Sequence, residues 1–370
     1  MGDEKKRILK LVEEGKITAS EALALLELLE KEQEQKNVKE KEIIHELANV
    51  VNLDDEEKKE QAREEAAQKK IASAKDMIFS FVDNVVSKVK EVDLNFTKNT
   101  EITHFFHDPD AIVTEANVEV ANGDVEIYAW EGPGVKVECE AKVYRTEDQE
   151  SARNTLLQET TFYVKENKLY FIVGQKWMRV NSKIFVPSAQ YDKVRIKLLN
   201  GAISINNLMV DQLKAKTGNG KISLQSVISK EAEIETVNGN IELMENNIGQ
   251  LECETINGLI NSNGSFRKAD FETFNGVIQV ENFSSDAKVL TAKSGSGAIR
   301  ILVPQAIKVS GEAKSYLGAL SVEVYGMKVT ETKNEVIQKV LKFENEEMES
   351  MRISAESKSA SVTITHAQNE

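Results

Sequence analysis

Through the middle of the chain, apolar and polar residues alternate in short runs that return at a nearly fixed interval. Positions 203, 222, 241, 260, 278 and 299 are all Ile, and two residues further on 205, 224, 243, 262, 280 and 301 read Ile, Leu, Leu, Ser, Val, Ile. Upstream, 196, 215, 234, 253, 271 and 289 read Ile, Ala, Ile, Cys, Phe, Val, and 217, 236, 255, 273 and 291 are Thr. Period-two alternation predicts strands with one buried face, two strands to each unit. Asn-Gly joins the two strands, as Asn200-Gly201, Asn219-Gly220, Asn238-Gly239, Asn257-Gly258 and Asn275-Gly276, with Asn122-Gly123 as an outlying early copy. From Gly201 to Gly276 the glycines step by nineteen, nineteen, nineteen and eighteen residues.

Asn-Gly is a strong hairpin signal, because a type I′ turn needs positive φ at both central residues. It also makes the corner of a β-solenoid, with glycine supplying the positive φ. Stacking rewards one residue type held in one column over successive units, whereas independent hairpins do not, so the solenoid reading is favoured. The fold expected is mainly β with a helical N-terminal region: a single-stranded, β-helix-like solenoid of about 19-residue repeats over 93–370. An irregular excursion near 128–190 holds strand-like 135–144, a helical stretch at 146–158 and strands around 162–173. Degenerate copies at 293–301, 317–322 and 359–364 carry the pattern onward.

Residues 1–92 follow a helical period instead. A first helix is predicted near 3–14 and ended by Gly15; Thr18 then caps a second, with Glu21 as its capping-box partner and Ile17 stapled to Ala22. Ala22, Leu25, Leu26 and Leu29 form one face of this hairpin, assigned to 1–34. So small a unit buries little surface alone, so its leucines need a partner in this chain or another. Residues 35–92 read as a charged segment, either a solvated helix or a flexible spacer, followed by an amphipathic helix over 71–92, with Ile78, Phe81 and Val85 on its apolar face. Leu25, Leu26, Leu29, Ile78, Phe81 and Val85 are therefore the candidate interaction residues, facing a protein partner, the chain itself, an antimicrobial peptide or a membrane surface.

Charge narrows the partners. With 47 basic and 61 acidic residues the formal charge is -14, which disfavours nucleic acid. No segment approaches the apolar length of a membrane-spanning helix, and no secretory leader is legible, so a cytoplasmic location, peripheral to the membrane, is the expectation. Cell-surface display by a non-classical route is the alternative. The two cysteines, Cys139 and Cys253, fit a reducing compartment, Cys253 on an inward column.

The segment Glu13 to Glu30 (EEGKITASEALALLELLE), the run Ile184-Phe185-Val186-Pro187 and the NG-x-I repeats together resemble a bacterial family of adhesin-like β-strand-repeat proteins of unknown function with a SHOCT-like bihelical N-terminus. The resemblance implies a β-solenoid body and a link to Gram-positive cell-envelope stress, including responses to membrane-active antimicrobial peptides. It carries no catalytic residues.

The residues themselves offer little chemistry. His104 and His107 stand three apart, without a Cys or Glu pattern to complete a metal site. The outward positions Lys221, Ser223, Glu242, Asn261, Gln279 and Arg300 hold no repeated acid pair of the kind a glycosidase needs. Trp130 and Trp177 are assigned to packing, and Gly295-Ser296-Gly297 to a lengthened corner. No catalytic, cofactor or metal residue is assigned. The expected function is a non-enzymatic binding or scaffold protein whose N-terminal helices make the contact; an envelope-glycan enzyme or a surface adhesin on a β-helix is the alternative.

Overall fold

The computed structural model describes residues 2–48, 50, 99–282, 284–335, 337–345 and 351–367. The expected 71–92 helix, with Ile78, Phe81 and Val85, lies outside them.

The repeat builds a parallel β-solenoid. Each coil has a long strand before the Asn-Gly corner and a short one after it, as in Met209–Asn219 followed by Ile222–Gln225. Equivalent residues pair in register from coil to coil: Ala215 lies opposite Ile196 and Ile234, and Ile222 opposite Ile203 and Ile241. The Ile column is buried along its whole length, and Cys253 faces the same core.

The order of stacking departs from chain order at both ends. The outlying copy, strands Glu115–Asn122 and Val125–Trp130, lies directly against the coil of Asn200, although 78 residues separate the two asparagines. At the other end, strands Met351–Ser357 and Val362–His366 insert between the coils of Val289–Ser294 and Val309–Ser315. Antiparallel strands close both ends: Val135–Tyr144, Asn99–Asp108 and Thr160–Lys165 at one, and the pair Lys328–Asn334 and Lys339–Glu344 at the other. A helix at Gln149–Glu159, N-capped by Asp148, buries Ala152 and Leu156 in the first end. Such terminal covers prevent open strand edges from pairing with another chain.

Two sequence expectations need correction. Val289 and Thr291 do not belong to the inward columns: Phe271 pairs with Ala292 and Thr273 with Ser294. The coil from Gly276 to Gly297 is longer than its predecessors, and a shift of three, being odd, moves every side chain to the opposite face. Val289 is accordingly exposed.

The second concerns the glycines. Gly123 and Gly201 do have positive φ, but Gly220, Gly239, Gly258 and Gly276 do not. They are needed for close approach instead: a Cβ on Gly239 would collide with the carbonyl oxygen of Gly220, and one on Gly258 with that of Gly239. Positive φ falls at the other corner of the coil, on Asn207, Ser226 and Glu245.

The first helix, α1, spans Gly2–Glu13, and the second, α2, runs unbroken over Ala19–Ala48, so the charged segment after 34 begins as helix.

The Thr column has a specific task. Thr217, Thr236, Thr255 and Thr273 donate from Oγ1 to the carbonyls of Gly201, Gly220, Gly239 and Gly258 at 2.9–3.0 Å, and Ser294, Ser357 and Ser315 repeat the bond in the later coils. Ser262, like Thr160 elsewhere, is an exception among buried hydroxyls. It occupies the Ile/Leu/Val column, and its Oγ has no hydrogen-bond partner among the described residues. Ser262→Ala should therefore raise stability by about 1 kcal/mol, because an unsatisfied buried hydroxyl is removed at little loss of packing. An unchanged or lowered denaturation midpoint would show that the hydroxyl is satisfied.

Candidate functional site

The residue before each Asn points outward, yet it is apolar in most coils: Ala121, Leu199, Val237, Ile256 and Phe274. An exposed apolar column of this length would be costly in water. It is covered by α2, whose Ile43 and Leu47 are buried against it, with Ile44 at its margin. Gly218 holds the same position in its own coil, next to the side chain of Leu47.

The fit follows from two repeats of similar length. A helix rises about 1.5 Å per residue and stacked strands lie about 4.8 Å apart, so three to four residues of α2 advance one coil. Leu47 thus reaches Leu199, Lys39 bonds Glu254 at 3.0 Å, Lys36 donates to Asn257 Oδ1 at 3.2 Å, and Glu32 lies against Gly295. A side chain at Gly295 would meet the Glu32 carboxylate, which can move, and the carbonyl oxygen of Phe274, which cannot, and the second contact accounts for the glycine in that corner. Alongside runs a ladder of side-chain amides in which Asn200, Asn219, Asn238 and Asn257 each donate to the Asn of the preceding coil at 2.8–2.9 Å, ending on Asn122.

Both ends of the helical unit are anchored. At the start, the capping box forms as read, with Thr18 N donating to Glu21 Oε2 and Glu21 N to Thr18 Oγ1. Leu25 and Leu29 are buried and Leu26 half-buried in a cluster with Ile8, Ile17 and Ala22 that packs on Tyr316, Leu317 and Ile337 of the far coils. The leucines do find a partner, within the chain, and their apolar face is already occupied. Arg7 adds hydrogen bonds to the carbonyls of Leu317 and Ser359.

At its C-terminal end α2 meets three lysines, complementing the negative end of the helix dipole. Lys197 donates to the Glu46 carbonyl, and Lys216 bonds Glu46, Glu233 and Glu235 at 2.7–3.0 Å with its side chain only 3 % exposed. Burial works against charge on Glu233, but hydrogen bonds from Lys216 and Lys214 hold its carboxyl down at about 2. Glu235 shares Lys216 but not Lys214, and burial raises its carboxyl.

Between the middle of α2 and the later coils lies an open groove of about 710 Å³, lined by Glu32, Lys39, Glu254, Glu272, Lys293 and Lys358 among others. Burial raises Glu254 to about 7 in spite of Lys39. The acidic column Glu235, Glu254, Glu272 escaped the sequence reading, which examined the outward face of the short strands alone. Its spacing of nineteen and eighteen residues was the available signal, as was the apolar residue before each Asn.

Other singled-out residues lie elsewhere. His104 and His107 stand on the end strand Asn99–Asp108, His104 beside Arg153. Trp130 rests on Phe185 and donates to the Gly134 carbonyl, and Trp177 packs on the core. Among the described residues, no cluster of three or more His, Cys, Asp or Glu could hold a metal ion.

A SHOCT-like domain model matches residues 3–34, and the model described as Toastrack DUF4097 matches 113–365. The uncharacterized protein YvlB of Bacillus subtilis (strain 168) is 41% identical over 366 residues, 98% of each chain. Among crystal structures, a candidate adhesin from Bacteroides fragilis covers 72% of this chain and 97% of its own at 12% identity and a TM-score of 0.40. A candidate lipid-binding protein from Parabacteroides distasonis covers 73% and 97% at 12% identity and 0.39. The family model extending over most of the solenoid and the relative matched along nearly its whole length show that the chain belongs to the Toastrack DUF4097 family and carries a SHOCT-like domain at its N-terminal end.

Proposed function

We propose that this chain is a non-enzymatic binding protein of the cell-envelope stress response, working on the cytoplasmic side and peripheral to the membrane. The α1–α2 unit is its displaceable recognition element and the solenoid its rigid seat. One observation carries the reading: α2 seals an outward apolar column that the solenoid core does not need, so helix and column are two halves of an exchangeable interface. A partner that takes the apolar face of the helices, be it a protein, a membrane-active peptide or a lipid surface, competes with the solenoid for the same residues. The net charge of -14 speaks against nucleic acid as that partner.

Substitutions on opposite sides of this interface test the idea. Val237→Lys removes the seat and leaves the helix intact, so association with anionic liposomes, cationic amphipathic peptides or envelope proteins should rise in co-sedimentation and pull-down. Ile43→Glu with Leu47→Glu frees the same helix but spoils its face, so association should fall below that of Val237→Lys. Equal binding by the two variants would place recognition on the solenoid and overturn the proposal.

A further inference from the structure

One outward column of the long strands passes beneath α2 and reads, coil by coil, Lys197, Lys216, Glu235, Glu254, Glu272, Lys293, Glu356. Cations alternate with carboxylates toward one end and cluster at the other, but three carboxylates follow one another in the middle. Neighbouring strands are about 4.8 Å apart, so like charges in successive coils repel. Glu235 has Lys216 on its other side, and Glu272 has Lys293. Glu254 has a carboxylate on both sides, and its cation comes from α2, through Lys39 at 3.0 Å. The second oxygen of Glu254, Oε1, is buried with no hydrogen-bond partner among the described residues.

We propose that this column makes the docking of α2 proton-dependent, the helix being held most firmly in mildly acidic conditions and released as Glu254 and its neighbours ionise. The inference rests on the displaceable α2 of the proposed function and adds its regulation.

The groups facing Glu254 are, from the solenoid, Glu235, Glu272 and, across the groove, Lys293, Glu356 and Lys358. From α2 they are Lys39 and Glu42, with Lys31, Glu32, Glu34 and Lys36 further along the helix. His45 lies on the exposed side of α2. Burial under the helix raises Glu254 to about 7 and also raises Glu235, and on α2 itself burial raises Glu32. Undocking returns Glu254 to water, which lowers its carboxyl, and also removes Lys39, which raises it; burial is the larger cause, so docking takes up a proton. For a carboxyl raised in the docked state, that contribution is complete below the ordinary range and is lost as pH rises through about 7. Glu46 and Glu233 behave oppositely. Their carboxyls are lowered, chiefly against burial by Lys216, so their ion pairs persist from pH 5 to 8 and fail only in stronger acid. Between about pH 5 and 8 the raised carboxylates set the sign.

Full-length protein with a fluorophore pair on Asn37→Cys and Gln225→Cys reports docking by energy transfer, since the native Cys139 and Cys253 are buried and escape labelling. A Leu47→Ala background weakens the seat enough for both states to be populated. The docking constant should fall several-fold from pH 5.5 to 8, within the limit of about tenfold per pH unit for one proton. Adding Glu254→Gln should flatten most of that dependence. A docking constant that is flat or rises with pH, or an equal slope in Glu254→Gln, would overturn the proposal. Val237→Lys, measured in parallel, separates the two ideas. If it lowers energy transfer while the pH profile stays flat, α2 is displaceable but not proton-gated. If energy transfer is unchanged, displacement itself is refuted.

Discussion

Replacing Gly239 with alanine should lower stability by about 3 kcal/mol, and replacing it with asparagine should cost at least as much. Neither figure reflects backbone dihedrals, since Gly239 lacks the positive φ that would favour asparagine over other residues. The obstacle is the Gly220 carbonyl of the preceding coil, which occupies the space a Cβ would need. Moving it would lengthen the strand spacing and disturb the Gly239 N–H bond to the Asn257 carbonyl and the Thr236 bond to Gly220. Gly15 supplies the contrast. Its φ is +66 and nothing lies within 4 Å of its missing Cβ, so Gly15→Asn should cost less than about 1 kcal/mol. Urea midpoints of Gly239→Ala, Gly239→Asn and Gly15→Asn decide the matter: a Gly239→Asn protein as stable as the parent would show that the corner tolerates a side chain and that close approach is not the constraint.

The difference between those two glycines shows how far the sequence could be read. Periodicity reports which residues share an environment, and so it revealed the Ile column and the stacking of like residues from coil to coil. It does not report why a residue is required. Gly239 and Gly201 look identical in the repeat, yet only Gly201 has positive φ, and Ser226 and Glu245 take a left-handed conformation with no glycine to mark it. Order in space was illegible at the ends, because the repeats of 115–130 and 351–366 are inserted out of sequence and nothing local records the crossing. The candidate site was half legible. Leu25 and Leu29 were rightly read as seeking a surface, but the seat that receives α2 depends on Val237, Ile256 and Phe274, which stand where strand alternation would put polar residues. An apolar residue that breaks alternation at the same point of successive repeats was the trace of the helix packed across them.

Ile241→Asp should be among the most damaging single changes, at roughly 4 kcal/mol or more. Ile241 is fully buried, with Ile222 and Ile260 opposite it in the adjoining coils, so the substitution loses packing against both neighbours and places a carboxyl where no hydrogen-bonding group awaits it. In a stacked repeat, stability comes from coil interfaces as well as from coils, and a lesion in the middle of the column weakens two of them at once. The buried carboxyl would escape part of the penalty by staying protonated, its pKa raised above the unfolded value. Ile241→Asp should therefore be least destabilised in acid and lose further stability as pH rises toward neutrality, a dependence that the parent residue lacks. Glu242, one residue on, faces outward and pairs with Lys221 at 2.5 Å in a partly exposed bridge. Glu242→Lys should shift stability by no more than about 1 kcal/mol. Thermal and urea denaturation of both variants at pH 5 and 7.5 test the register directly: similar losses for the two, or an Ile241→Asp loss that does not grow with pH, would mean that position 241 does not face a dry core.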